Sequence, residues 1–112
     1  MMIDEKIIKD LNDVKNKILV GMISFSSIKE SIINGPFKLP GECKMRLTFK
    51  IKVKTLTDLE MSRIEKLIFK NETKNVDITM LIPDSNIVSF KKKNGYKNYK
   101  NKNMVVFYLE QK

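Results

Sequence analysis

Residues 44–54 read KMRLTFKIKVK, and this stretch decides the fold. Met45, Leu47, Phe49, Ile51 and Val53 alternate without a break with Lys44, Arg46, Thr48, Lys50, Lys52 and Lys54, the period-two signature of a strand with one apolar and one polar side. Five of the six polar positions carry a cation. Such a strand must bury its apolar side under other elements, and the flanking sequence supplies helices for that purpose.

Downstream, the period changes within three residues. Thr57 and Glu60 have capping-box spacing, Leu56 and Met61 are placed for a hydrophobic staple, and Met61, Ile64, Leu67 and Ile68 form the stripe of a helix over 58–70. Val76, Ile78, Met80 and Ile82 then alternate as a strand, and Pro83-Asp84-Ser85-Asn86 separates it from a further strand starting at 87–90. The strand, helix, strand unit predicts a parallel, right-handed crossover if its two strands lie side by side. Residues 91–103, KKKNGYKNYKNKN, hold six lysines, two tyrosines and no acid. Asn94-Gly95 is a hairpin signal, so this segment reads as a basic tip leading into a last strand over 104–110.

Upstream, Ile3, Ile7, Leu11, Val14 and Ile18 make the stripe of an amphipathic helix over 3–17, with Glu5–Lys9 and Asp13–Lys17 as i to i+4 pairs. The continuous apolar run from Ile18 to Phe25, with Gly21 inside, predicts a short buried strand. Ser27 and Glu30 are spaced as a capping box and predict a short helix over 28–34, ended by Gly35-Pro36, with a loop to 43. The resulting expectation is a single α+β domain over 1–112: a two-layer sandwich with a mixed four- to five-stranded sheet, two main helices on one face, and an open basic face.

The chain has 112 residues, 42% hydrophobic and 31% charged, enough to bury a core of ordinary size. Its 22 Lys and Arg against 13 Asp and Glu give a net charge of +9. A charge of this size points to polyanionic partners: nucleic acid, an anionic membrane surface or an acidic protein. Arg46 and Arg63 are the only arginines, so the cations are almost all lysines, which act as point charges on phosphate rather than as forks that read guanine. A genome rich in A and T would raise Lys, Asn and Ile together, and that competes with function as the source of the excess. Cys43 is the single cysteine, which excludes an internal disulfide and suits a reducing compartment. The N-terminal MMIDEK lacks the pattern of a signal peptide, no apolar run approaches the length of a membrane span, and the expected location is the cytoplasm.

Successive outward residues of a strand lie about 6.6–6.8 Å apart, close to two steps of about 3.4 Å along one nucleic-acid strand. Lys44, Arg46, Lys50, Lys52 and Lys54 are therefore candidate phosphate ligands, and Lys91, Lys92, Lys93, Lys97, Lys100 and Lys102 form a second arm. Tyr96 and Tyr99 offer rings on which unpaired bases stack. Outward lysines also serve simply to keep sheets from joining edge to edge, and an exposed edge strand gives the chain a route to a homodimer. The reading is of a non-enzymatic nucleic-acid-binding protein, DNA or RNA undecided, with a small inhibitor or adaptor whose basic face docks on an acidic or nucleic-acid-receiving surface of a partner protein as the alternative.

Catalytic patterns are sparse. With no histidine, Ser-His triads and His metal sites are excluded, and no Walker or dinucleotide-binding loop is present among four ungrouped glycines. No cofactor or metal is expected from the composition. Pro83-Asp84 and Glu110-Gln111-Lys112 resemble the motif of the PD-(D/E)xK family of metal-dependent nucleases. That resemblance implies Asp84 and Glu110 as Mg²⁺ ligands and Lys112 as the residue assisting the attacking water, a remote third reading.

Overall fold

The computed structural model describes residues 2–41, 44–54, 57–84, 87–91 and 103–112, the backbone alone for 2–4, 82–84 and 87–91. The chain runs α1 (Met2–Met22), β1 (Ile28–Lys38), β2 (Met45–Val53), α2 (Asp58–Phe69), β3 (Val76–Asp84), β4 (Ile87–Lys91) and β5 (Met104–Gln111), an α+β fold. The five strands form one sheet in the order β1-β2-β5-β3-β4, antiparallel at every pairing. Cys43, Leu56 and residues 92–102, with the Asn94-Gly95 turn signal, lie outside the described residues.

Strand β2 is the alternating strand its sequence predicts, with Met45, Leu47, Phe49, Ile51 and Val53 all buried. Leu11, Val14, Ile18 and Met22 of α1 and Met61, Ile64, Leu67 and Ile68 of α2 join them in a single core, so both helices serve the same side of the sheet. Thr57 caps α2 as expected: its Oγ1 accepts from the Glu60 amide at 3.1 Å while its hydroxyl donates to Glu60 Oε1 at 3.2 Å.

Three local expectations are overturned. The run Ile18–Phe25 does not form a strand: α1 continues to Met22, because Ile18 and Met22 extend the Leu11–Val14 stripe and each added helical residue gains a hydrogen bond once the helix is nucleated. Gly21 fits this helix because α2 passes against it, and a Cβ built there collides with Leu67 Cδ1. Lys9 also pairs with Asp13, at 3.1 Å, rather than with Glu5.

Residues 28–34 are not a helix but the first part of β1, which continues through the expected loop to Lys38. Three β-branched isoleucines favour a strand, and a helix of under three turns has little stability of its own. Pairing decides it: Ile28 faces Val53, Ile32 faces Lys50 and Ile33 faces Phe49, while the Ser27 carbonyl accepts from the Lys54 amide at 2.9 Å. Gly35-Pro36 sits in a register shift between Asn34 and Phe37, where an edge strand tolerates the missing amide. Gly35 has φ of 104°, and a Cβ there would lie 2.8 Å from the Arg46 carbonyl oxygen. Gly35→Ala is therefore expected to destabilise the protein by about 2–4 kcal/mol, read as a lower urea midpoint at unchanged slope.

The sheet is antiparallel rather than mixed because β5 inserts between β2 and β3. The expected side-by-side pairing of those two strands gives way to a crossover that spans β5. Val105, Phe107 and Leu109 are completely buried, and Phe107 stacks on Phe49 with ring centroids 4.6 Å apart. A strand this apolar belongs at the centre of the sheet, where both its edges and its inner side are covered. Among the described residues no helix is long and apolar enough to cross a membrane.

Candidate nucleic-acid interface

Strand register places the side chains of the sheet's other side in rungs. Phe37, Arg46, Glu110 and Asp77 share the first, and Asn34, Thr48, Tyr108 and Thr79 the second. Ile32, Lys50, Val106 and Leu81 share the third, and Glu30, Lys52 and Met104 the fourth. All five predicted cations of the 44–54 stretch lie on or beside this side, Lys44 and Arg46 separated from Lys50, Lys52 and Lys54 by Thr48, a gap of about 13 Å against about 6–7 Å within each group.

Their surroundings differ from the expectation of a uniformly basic face. The Glu110 carboxylate accepts from Arg46 Nη2 at 2.9 Å and Nε at 3.3 Å, and Lys44 Nζ stands 3.8 Å from its other oxygen. The Arg46 guanidinium also lies 4.0 Å over the Tyr108 ring, a cation–π contact that holds it against the sheet. With Asp77 next to Glu110 in the same rung, this end of the surface carries two carboxylates against two cations and is close to neutral.

The opposite end keeps its charge. Lys52 approaches Glu30 at 3.5 Å, but both side chains are about half exposed, and such a pair contributes little against competing phosphate. Lys50 stands between Ile32 and Val106, and Lys54 lies past the end of β2. No carboxylate of the described residues pairs with either.

The charged end is also where the second predicted arm joins the sheet. Met104 is the register partner of Lys52, and the Val53 amide donates to the Asn103 carbonyl at 3.0 Å. The chain thus returns from residues 92–102 directly beside Lys52 and Lys54. Lys91 lies at the end of β4, opposite Met80 of β3. Lys92, Lys93, Tyr96, Lys97, Tyr99, Lys100 and Lys102 fall outside the described residues.

Apolar and aromatic residues on this side were missed in the sequence reading. Tyr108, Val106 and Met104 are half-buried there, and Phe37 is 41% exposed on the edge strand. The signal was present in MVVFYLE, which is apolar at both parities rather than at one.

The nuclease-like motif does not assemble. Asp77, not Asp84, is the register partner of Glu110, and Asp84 lies seven residues further along β3. At about 3.3 Å per residue the separation is roughly 23 Å, far beyond two carboxylates sharing one Mg²⁺ at about 2.1 Å. Among the described residues no three acidic, Cys or His side chains group to hold a metal. Comparison of the chain with family models, curated proteins and solved structures finds no significant match.

Proposed function

We propose that this chain is a non-enzymatic, weakly sequence-selective nucleic-acid-binding protein of the cytoplasm. Lys50, Lys52 and Lys54 take alternate phosphates, Lys91, Lys92, Lys93, Lys97, Lys100 and Lys102 extend the contact, and Tyr96 and Tyr99 stack on bases. Lys44 and Arg46, tied to Glu110, stand at the margin of this surface rather than at its centre.

One observation carries the reading: the Asn103 carbonyl is bonded to Val53, between Lys52 and Lys54, so the lysine-rich segment is anchored beside the least neutralised cations of the sheet. That anchor at residue 103 supports reading the two sequence-distant basic stretches as parts of one binding surface. Lysines at two-residue intervals match the backbone of a single strand better than the guanine edges of a duplex, which call for arginine forks.

The test is a titration of a labelled single-stranded oligonucleotide by anisotropy at rising salt. Log K is expected to fall linearly with log salt, with a slope of about 2 to 6 for three to nine phosphate contacts at roughly 0.7 each. A flat dependence, or no binding at low salt, overturns the proposal.

A further inference from the structure

On the helical layer, α1 and α2 meet where the Leu67 side chain packs directly on Gly21. A recess opens on each side of this contact. One, of about 410 Å³, is lined by Lys17, Val20, Leu67 and Lys70, and the other, of about 320 Å³, by Phe25, Arg63, Lys66 and the same Leu67 and Lys70. The two share their central wall and form one groove with an apolar floor. Four cations rim it, and among the described residues no carboxylate lines either recess. Val20 is 68% exposed, and Ile23, one residue past the end of α1, is 83% exposed. Large aliphatic side chains left in water beside a concave apolar floor mark a binding surface rather than a finished one.

We propose that this groove receives an acidic amphipathic helix from a partner protein, with apolar side chains in the two recesses and carboxylates toward Lys17, Arg63, Lys66 and Lys70. This is the helix-in-groove mode, in which apolar anchors recur at i, i+3, i+4 and i+7. The charge of the rim selects the occupant. A second copy of this chain carries the same +9 and is repelled. A nucleic-acid strand would satisfy the lysines but not the aliphatic floor, and the Phe25 ring on which a base would stack already lies under the Arg63 guanidinium, at 5.3 Å.

The experiment uses the full chain and a synthetic peptide of about 16 residues, with Leu and one Trp at helical anchor spacing and Glu elsewhere; a second peptide of equal composition has its apolar residues scattered. The chain has no tryptophan, so emission of the peptide's indole reports burial directly. The amphipathic peptide is expected to shift to the blue and to bind at least about tenfold tighter than the scattered one. Val20→Asp, and separately Lys17→Glu with Lys70→Glu, each weaken it by about tenfold or more at an unchanged circular dichroism spectrum. Equal binding of the two peptides overturns the proposal by reducing it to net charge. Binding to phosphatidylserine vesicles that Val20→Asp abolishes overturns it in favour of a lipid surface.

Discussion

Phe107→Ala is expected to remove about 3–5 kcal/mol of stability. Phe107 sits at the middle of the central strand, with Phe49 as its register partner on one side and Met80 on the other, and all three have no exposed surface. Its ring stacks on Phe49 at 4.6 Å and an interplanar angle of 12°, so truncation opens a cavity between strands held by backbone hydrogen bonds. Those strands cannot close over the gap without breaking the ladder, which puts this site among those that relax least. Against a typical total stability of about 5–15 kcal/mol, the loss is about a fifth or more, equivalent to a fall in Tm on the order of 10–30 °C for a domain of this size. Urea unfolding followed by circular dichroism reads it as a lower midpoint at unchanged slope. Phe37→Ala supplies the contrast: that ring is 41% exposed on edge strand β1, and its loss is expected to cost under about 1 kcal/mol. Comparable losses for the two variants would contradict the central placement of β5.

The parts of this fold that were legible are those where local and global preferences agree. The alternation of 44–54 and the capped stripe of 58–69 each point to one structure, and both form. The 27–34 segment shows the opposite case. Its capping-box spacing is a local signal worth about a kilocalorie, and pairing with β2 along the whole of β1 outweighs it. Gly21 misled for a related reason: its meaning lies in Leu67, on another helix, and a glycine in an apolar run reads the same whether it loosens a strand or admits a neighbour. The position of β5 between β2 and β3 left only an indirect trace, its apolar residues at both parities. The candidate site followed the same division. Alternation told which side the cations of β2 occupy, but their neutralisation depends on Glu110, 64 residues from Arg46, and on Glu30 in a strand the sequence disguised as a helix. Charge pattern within one strand cannot reveal what the register brings opposite it.

The largest effect on binding is expected from the segment between β4 and β5. Replacing Lys91, Lys92, Lys93, Lys97, Lys100 and Lys102 together with glutamine lowers the net charge from +9 to +3. At about 0.7 per phosphate the salt slope should drop by roughly 4, and affinity for a single strand at 0.1 M salt should fall by about 10³–10⁴-fold. Lys50→Gln with Lys54→Gln removes two contacts, so its slope should fall by only about 1.4 and its affinity by roughly 10–30-fold. Arg46→Gln should alter the slope less than either, because the guanidinium is already engaged by Glu110 and Tyr108; its cost appears as lost stability when the Glu110 carboxylate, only 14% exposed, loses its main partner. These three variants therefore rank differently in binding and in unfolding, which a uniform loss of positive charge would not produce. If instead the slope tracks the number of cations removed wherever they lie, the carboxylates of the first rung do not shield Arg46 and Lys44, and the bound strand crosses the whole sheet from the Glu110 end to Asn103.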